Sequence, residues 1–384
     1  MTMTDLSSKT DAELQVLLEE LEYSAMINDI KQHSRKIGIN SVYGACGSAY
    51  FRYYDVRLAS AVSMTGQLAV KWAAKAVNEY LNDLLKTADV HYVAYIDTDS
   101  LYISMASLVD VIFPDKASRD NRKITDTIAK IADSKLVPYI QSAYAEMGEY
   151  LNVYRQDMDM KREVIADKVL LQAKKRYICN VLNSEGVPYD PPELKIMGIE
   201  SVRTSTPGLC RGAIKETIRK IMQEDEESAQ EYIAAFKKKF FASAPVDIAF
   251  PSGCNGLQKY EPTVKNSENQ NIEFDKTGRY LKHTPIHVKA ALVHNALIAK
   301  LGIESDTPFI REGSKIKYVY LKQPNPLQET VIAFDNFIPD AFGISAYIDV
   351  ETQYQKTFLN PVEKLLEIID WNATETISLE DFFS

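Results

Sequence analysis

At 384 residues, 46% hydrophobic and 25% charged, the chain is long enough for two or three globular domains, each with its own core. No run of about 18 apolar residues exists to cross a membrane as a helix, and Met1-Thr-Met-Thr-Asp-Leu-Ser7 has neither the basic leader nor the apolar core of a secretory signal. The formal net charge of −9 gives no overall reason to expect a nucleic-acid binder, and Cys46, Cys179, Cys210 and Cys254 lack any C-x-x-C pairing, which points to free thiols in a reducing cytoplasm.

Residues 10–36 read as one long helix. Thr10 and Glu13 form a capping-box pattern, and Leu14, Leu17, Leu18, Leu21 and Ala25 follow at helical spacing. Such a stripe cannot be buried by one helix alone, and no earlier helix is available as its partner. The chain continues as Arg35-Lys-Ile-Gly-Ile-Asn-Ser-Val-Tyr-Gly44, which on a helix puts Lys36, Asn40, Tyr43 and Gly44 on one face. That face offers a cation for phosphates, a polar group, an aromatic ring and a site of close approach. An ordinary helix end stopped at Gly44 and Gly47 would use the same residues. Residues 55–86 carry the fullest 3,4 repeat, through Ala69, Trp72, Ala76 and Leu84, and predict a core helix without chemistry of its own.

Next comes His91-Tyr-Val-Ala-Tyr-Ile-Asp-Thr-Asp-Ser-Leu-Tyr-Ile-Ser-Met105. Aromatic and β-branched residues run up to a polar tip and away again, the pattern of a β-hairpin. Asp97 and Asp99 at that tip are hard oxygen ligands of the kind magnesium takes in phosphoryl transfer. Asp, Thr and Ser also cap turns with no metal involved.

Residues 119–150 predict another amphipathic helix, and 151–200 alternate short strands with polar turns. Within 161–220, 12 Lys/Arg stand against 7 Asp/Glu, a basic block in an acidic chain. Lys174-Lys-Arg-Tyr177 suits backbone phosphates with a ring against sugar or base, although an edge strand guarded by lysines would look alike. Ser205, Thr206 and Pro207 start a helix that runs to about Phe241. The 245–330 stretch is less periodic. Its His283, His287 and His294 are interrupted by Pro285 and lack a Cys or carboxylate to complete a set, so no metal is expected there. In the polar C-terminal tail, Leu379, Phe382 and Phe383 suit a groove on a partner, or packing onto their own domain.

In this order, four blocks resemble the C-terminal part of a family B DNA polymerase, of the T-even bacteriophage type. Lys-Ile-Gly-Ile-Asn-Ser-Val-Tyr-Gly44 resembles motif B, and Tyr95-Ile-Asp-Thr-Asp-Ser100 resembles motif C. Lys174-Lys-Arg-Tyr177 resembles the block that senses B-form duplex, and Leu194-Lys-Ile-Met-Gly198 the entry to the thumb. Reverse transcriptases carry adjacent aspartates instead. The resemblance implies an α+β fold, with the second half of the fingers over 1–48, a palm with its antiparallel sheet over 49–190, a mainly helical thumb over 191–372 and a clamp-binding tail over 373–384. It implies that Asp99 ligates magnesium with Asp97 tuning the coordination, two ions being shared with a further carboxylate. Lys36, Asn40, Tyr43 and Gly44 would hold the incoming deoxynucleotide. Lys174, Lys175, Arg176, Tyr177, Lys195 and Arg203 would hold primer–template DNA, and Glu163 would stand as an acidic palm residue. Leu379, Phe382 and Phe383 would dock on a sliding clamp.

No Asp-x-x-Ser-Leu-Tyr-Pro-Ser block, exonuclease carboxylate set or first fingers helix is found in the sequence. The missing helix is also the partner that residues 10–36 require. The expectation is therefore one subunit of a split DNA-directed DNA polymerase, acting in the cytoplasm of an infected bacterium. A second chain would supply the exonuclease, motif A and the first fingers helix. A non-catalytic DNA- and clamp-binding module from a broken polymerase gene, and a stand-alone enzyme with other motif A carboxylates, are the rival readings.

Overall fold

Thr10 caps the first helix reciprocally. Its hydroxyl accepts the Glu13 amide at 3.4 Å, while the Glu13 carboxylate accepts the Thr10 amide at 2.8 Å. The helix, α1 (Asp11–Cys46), runs through Gly38 and Gly44 and ends at Gly47. No residue of α1 is buried, and Val16, Leu18, Leu21, Met26 and Ile30 keep about half or more of their surface exposed. The computed structural model describes residues 9–260 and 278–374, in two units that divide between Arg162 and Glu163.

The first unit is centred on α2 (Val56–Leu85), whose N-cap Asp55 accepts the Arg57 amide at 2.9 Å. The 3,4 repeat buries Ala69, Ala73, Val77 and Leu81 against Ile140, Tyr144 and Met147. Those three belong to α5 (Val137–Tyr150), which follows the hairpin β1 (Val93–Asp97) and β2 (Ser100–Ile103), α3 (Ala106–Ile112) and α4 (Asn121–Ile131). The helix predicted over 119–150 is continuous except for a widened π-turn at Ala132–Leu136. Pro138 lies just inside α5; it has no amide to give and its ring crowds the preceding turn, which a wider turn relieves.

The second unit opens with an antiparallel sheet, β3 (Val164–Ala173), β4 (Arg176–Ser184) and β5 (Val187–Met197), with β4 in the middle. Tyr177 through Val181 are all buried, as a central strand covered on both faces requires. The palm–thumb boundary expected after residue 190 falls within β5. The helical stretch expected over 207–241 is two helices, α6 (Gly208–Gln223) and α7 (Glu226–Phe241). Asp225 makes the break by capping α7, its carboxylate accepting the Ser228 amide at 3.0 Å. Leu170, Ile178 and Ile199 pack with Ile214 and Ile218 of α6 and Phe236 and Phe240 of α7. Tyr354, Phe358 and Val362, from α9 (Val350–Tyr354), the π-turn after it and α10 (Asn360–Leu366), close that core.

The less periodic 245–330 stretch holds a helix that its sequence did not reveal, α8 (Ile286–Leu301). It covers a second antiparallel sheet of β6 (Phe250–Gly253), β7 (Lys315–Tyr320) and β8 (Val331–Phe334). Helices packed on small antiparallel sheets make this the α+β class. All four cysteines are free, with Cys179, Cys210 and Cys254 buried, and no described helix is long and apolar enough to cross a membrane.

Candidate active site and nucleic-acid interface

Asp97 ends β1 and Asp99 lies in the two-residue turn that follows it. Asp97 pairs with Ser100 across the hairpin, leaving Thr98 and Asp99 at its tip. Thr98 has φ of +52°, a left-handed conformation unusual for a β-branched residue. The turn compensates with local bonds. The Asp99 amide donates to the Asp97 carbonyl at 2.6 Å, as does the Ser100 hydroxyl at 3.0 Å, and the Thr98 hydroxyl donates to Asp97 Oδ1 at 3.1 Å. Asp99 is exposed and Asp97 half-buried, so two carboxylate groups stand at one hairpin end. Hard, water-accessible oxygens fit magnesium. Among the described residues no cluster of three or more His, Cys, Asp and Glu is formed, so this pair would need a further ligand to complete a binding set.

Two asparagines of α2 hold this hairpin in place. Asn78 Oδ1 on α2 accepts the amides of Tyr92 and Val93 at 2.8 and 3.0 Å. Asn82, one turn on, accepts the Val90 amide at 3.1 Å and donates to the Val90 carbonyl at 2.9 Å. Their i,i+4 spacing on a core helix, where asparagine has little intrinsic preference, is the one clue the sequence offered.

Lys36, Asn40, Tyr43 and Gly44 all lie exposed on α1, a helix with no buried residue. A shallow groove there is lined by Asn28, Lys31, Gln32, Arg35, Lys36, Ile39 and Asn40, so three cations share it. A side chain at Gly44 would meet nothing within 4 Å, which leaves the helix surface open to close approach. The Tyr43 hydroxyl lies 2.5 Å from Ser63 Oγ, and that bond fixes the ring against α2.

In the second unit, Lys174 and Lys175 form the turn between β3 and β4, both exposed, with Lys175 at φ +63°. Tyr177 is buried in β4. Arg176 Nη2 donates to both carboxylate oxygens of Glu200 at 2.8 and 2.6 Å. On β5, Lys195 Nζ donates to Glu163 Oε1 at 2.7 Å. Burial alone would lower the Lys195 pKa, but the bond and charge of Glu163 outweigh it and hold the ammonium above the ordinary lysine value. Cys179, paired with Lys195 in the sheet, is pushed up to about 11 by burial, so it stays a thiol. Arg203 Nε donates to the Gly198 carbonyl at 3.2 Å.

The three histidines belong to no group of three or more His, Cys, Asp and Glu among the described residues. His294 is buried, with Nδ1 2.8 Å from the Ala333 carbonyl and Nε2 3.5 Å from that of Pro308, the environment of a packed core residue. The tail residues Leu379, Phe382 and Phe383 lie outside the described residues.

Residues 11–369 match the model of DNA polymerase family B. The chain is 33% identical, over 99% of its length, to the DNA-directed DNA polymerase of Enterobacteria phage T4, and 34% identical, over 98%, to that of Escherichia phage RB69. It spans only 42% and 41% of those relatives. A DNA polymerase of Paramecium bursaria Chlorella virus NY2A is 27% identical over 52% of the chain. Hairpin carboxylates, cationic helix face and basic turn thus sit within a match that covers almost every described element, and the chain belongs to DNA polymerase family B.

Proposed function

We propose that this chain is the C-terminal polymerase part of a split DNA-directed DNA polymerase of phage replication, active together with a second polypeptide. The observation that carries the reading is the hairpin tip: two carboxylates held two residues apart, in a chain of this family. Asp99 would ligate magnesium, with Asp97 beside it and a further carboxylate from the partner. The bound ions would supply charge stabilisation for the attacking and leaving oxygens.

Around that centre, the chain's own residues bind and orient. Lys36 offers its ammonium to the triphosphate of the incoming deoxynucleotide, while Asn40, Tyr43 and Gly44 lie against the nascent base pair. The primer 3′-oxygen then attacks the α-phosphorus, its proton is lost to solvent, and pyrophosphate leaves as the new phosphodiester forms. Lys174, Lys175, Lys195 and Arg203 grip the primer–template duplex, with Arg176 and the buried Tyr177 in the same block. Leu379, Phe382 and Phe383 would tether the enzyme to a sliding clamp. Support for a partner comes from α1, whose apolar side chains lie exposed.

The test is primer extension by this chain co-expressed with a polypeptide supplying the rest of the family's length. Wild type should extend and Asp99→Ala should not. Extension that survives Asp99→Ala overturns the metal assignment. Absence of extension with any partner, alongside duplex binding, returns the chain to a non-catalytic DNA- and clamp-binding module. Extension by the chain alone overturns the need for a partner.

A further inference from the structure

Arg176 belongs to the cationic block, yet its donors are directed at protein groups. Besides the two bonds to Glu200, its Nε donates to Gln172 Oε1 at 2.6 Å. The Arg176 and Glu200 side chains are 24% and 20% exposed, so the pair is largely shielded from water and held by charge-assisted bonds. The segment that carries Glu200 meets the same turn through its backbone. Gly198 has φ of +68°, and a Cβ placed there would lie 2.2 Å from the Lys175 carbonyl oxygen and 3.2 Å from Arg176 Cγ. Arg203 completes the arrangement, with Nη1 3.6 Å from Glu200 Oε1 and Nε on the Gly198 carbonyl.

Residues 198–203 therefore converge on a turn whose second residue, Lys175, adopts a left-handed conformation that lysine does not favour. A turn bearing two adjacent ammonium groups also repels itself, and Glu200 brings a carboxylate to Arg176, the residue that follows the turn. An arginine meant for a phosphate would keep its donors toward solvent; this one faces inward.

We infer that Glu200 is a positioning residue: through Arg176, and beside the close contact at Gly198, it clamps the β3–β4 turn and so presents Lys174 and Lys175 to duplex DNA. Arg176 works as the clamp's other half and makes no phosphate contact. The inference rests on the DNA-binding reading above and divides the labour within that block.

The experiment measures duplex affinity of the full chain over a salt series, by anisotropy of a labelled primer–template. Removing one cation that pairs with a DNA phosphate lowers the slope of log K against log[salt] by about one. Lys174→Ala should lower it by that amount. Arg176→Gln and Glu200→Gln should each weaken binding several-fold with the slope kept. The double exchange Arg176→Glu with Glu200→Arg should recover most of the affinity, which a merely damaged fold would not. A slope lowered by about one in Arg176→Gln, or tighter binding by Glu200→Gln through a freed cation, overturns the inference. Amide hydrogen exchange decides the clamp independently of DNA. Glu200→Gln should accelerate exchange at residues 173–178 and spare α6 and α7; unchanged exchange at the turn overturns the clamp. Wild type that fails to bind duplex refutes the DNA-binding reading, while exchange still decides the clamp.

Discussion

Gly198 and the Lys175 carbonyl approach so closely that no side chain fits between them: a Cβ on Gly198 would lie 2.2 Å from that oxygen. The obstacle is backbone, so it cannot swing aside, and φ of +68° adds the left-handed cost that any L-residue carries, roughly 1–2 kcal/mol. Gly198→Ala should lower stability by about 2–4 kcal/mol in urea unfolding, conformational cost and overpacking together. A loss under about 1 kcal/mol would mean that the β5 end moves away from the turn easily.

The two hairpin aspartates should differ in consequence. Asp99 is exposed at the tip, while Asp97 accepts turn bonds from Thr98 and Ser100 as well as from the Asp99 amide. With the partner present, Asp99→Asn should cut the primer-extension rate by about a thousandfold, a barrier increase of about 4 kcal/mol. Asp97→Asn keeps the turn's acceptors and should cost less. Single-turnover extension across a magnesium series separates them; equal losses, without a change in metal dependence, would remove the distinction.

The buried His294 should make the second unit sensitive to acid. Its pKa is lowered by burial, which outweighs the opposing carbonyls of Ala333 and Pro308 and the charge of Asp335. Nδ1 lies 2.8 Å from the Ala333 carbonyl, an acceptor for the one proton that a neutral ring would carry on Nδ1. A depressed folded-state value means that the unfolded chain takes up the proton more readily. The stability from the neutral ring is therefore complete above the unfolded-state value near 6.5 and is lost as pH falls from there through the folded-state value. His287, also lowered by burial, acts in the same direction. Melting temperature should fall between neutral and mildly acidic pH, and His294→Asn, itself destabilised, should show a flatter profile. An identical profile in the variant would assign the acid sensitivity elsewhere.

Glu329 is a buried carboxylate at the centre of a second network. Its carboxylate accepts Arg279 Nη1 at 2.7 Å and the Tyr280 hydroxyl at 2.8 Å, with Lys289 Nζ at 4.0 Å. Lys289 also lies over the Tyr280 ring, 4.4 Å from its centroid. Removing the carboxylate would take away one acceptor that two cations and a hydroxyl share. Glu329→Ala should cost about 3 kcal/mol in chemical unfolding and Glu329→Gln less. A near-neutral Glu329→Ala would show that water satisfies the cations unaided.

Local chemistry was legible wherever one short segment determined it. The Thr10–Glu13 box, the 3,4 repeat on α2 and the alternation around Asp97 each produced the element that the residues predict. What sequence spacing could not carry was the partner across space. Asn78 and Asn82 look like surface polar residues until the loop to β1 folds onto them, and Glu200 looks unremarkable until β5 brings it to Arg176. Helix α8 was hidden for a related reason: Val288, Ala290, Ala291, Val293 and Ile298 face more than one neighbour, so burial spreads around the helix and the amphipathic period fades. The break at Asp225 was present in the sequence as an N-cap residue before two acids, but the apolar period on either side concealed it.

Helix α1 provides the last prediction. Leu18 and Leu21 are 49% and 58% exposed although their spacing is that of a buried stripe, and nothing in α1 is buried. In a chain meant to act alone, changing them would be close to neutral for every property. In the proposed split enzyme they form part of the surface that receives the partner's fingers helix. Leu18→Glu with Leu21→Glu should leave the unfolding midpoint of this chain within about 0.5 kcal/mol of wild type, as for substitutions that touch little. The same pair should weaken association with the partner by about two orders of magnitude or more, since burying a leucine contributes about 1.5–3 kcal/mol and each glutamate would also have to be desolvated. Titration of primer-extension activity against partner concentration reads this directly. A double variant that reaches full activity at the wild-type partner concentration would show that α1 receives no partner on this stripe.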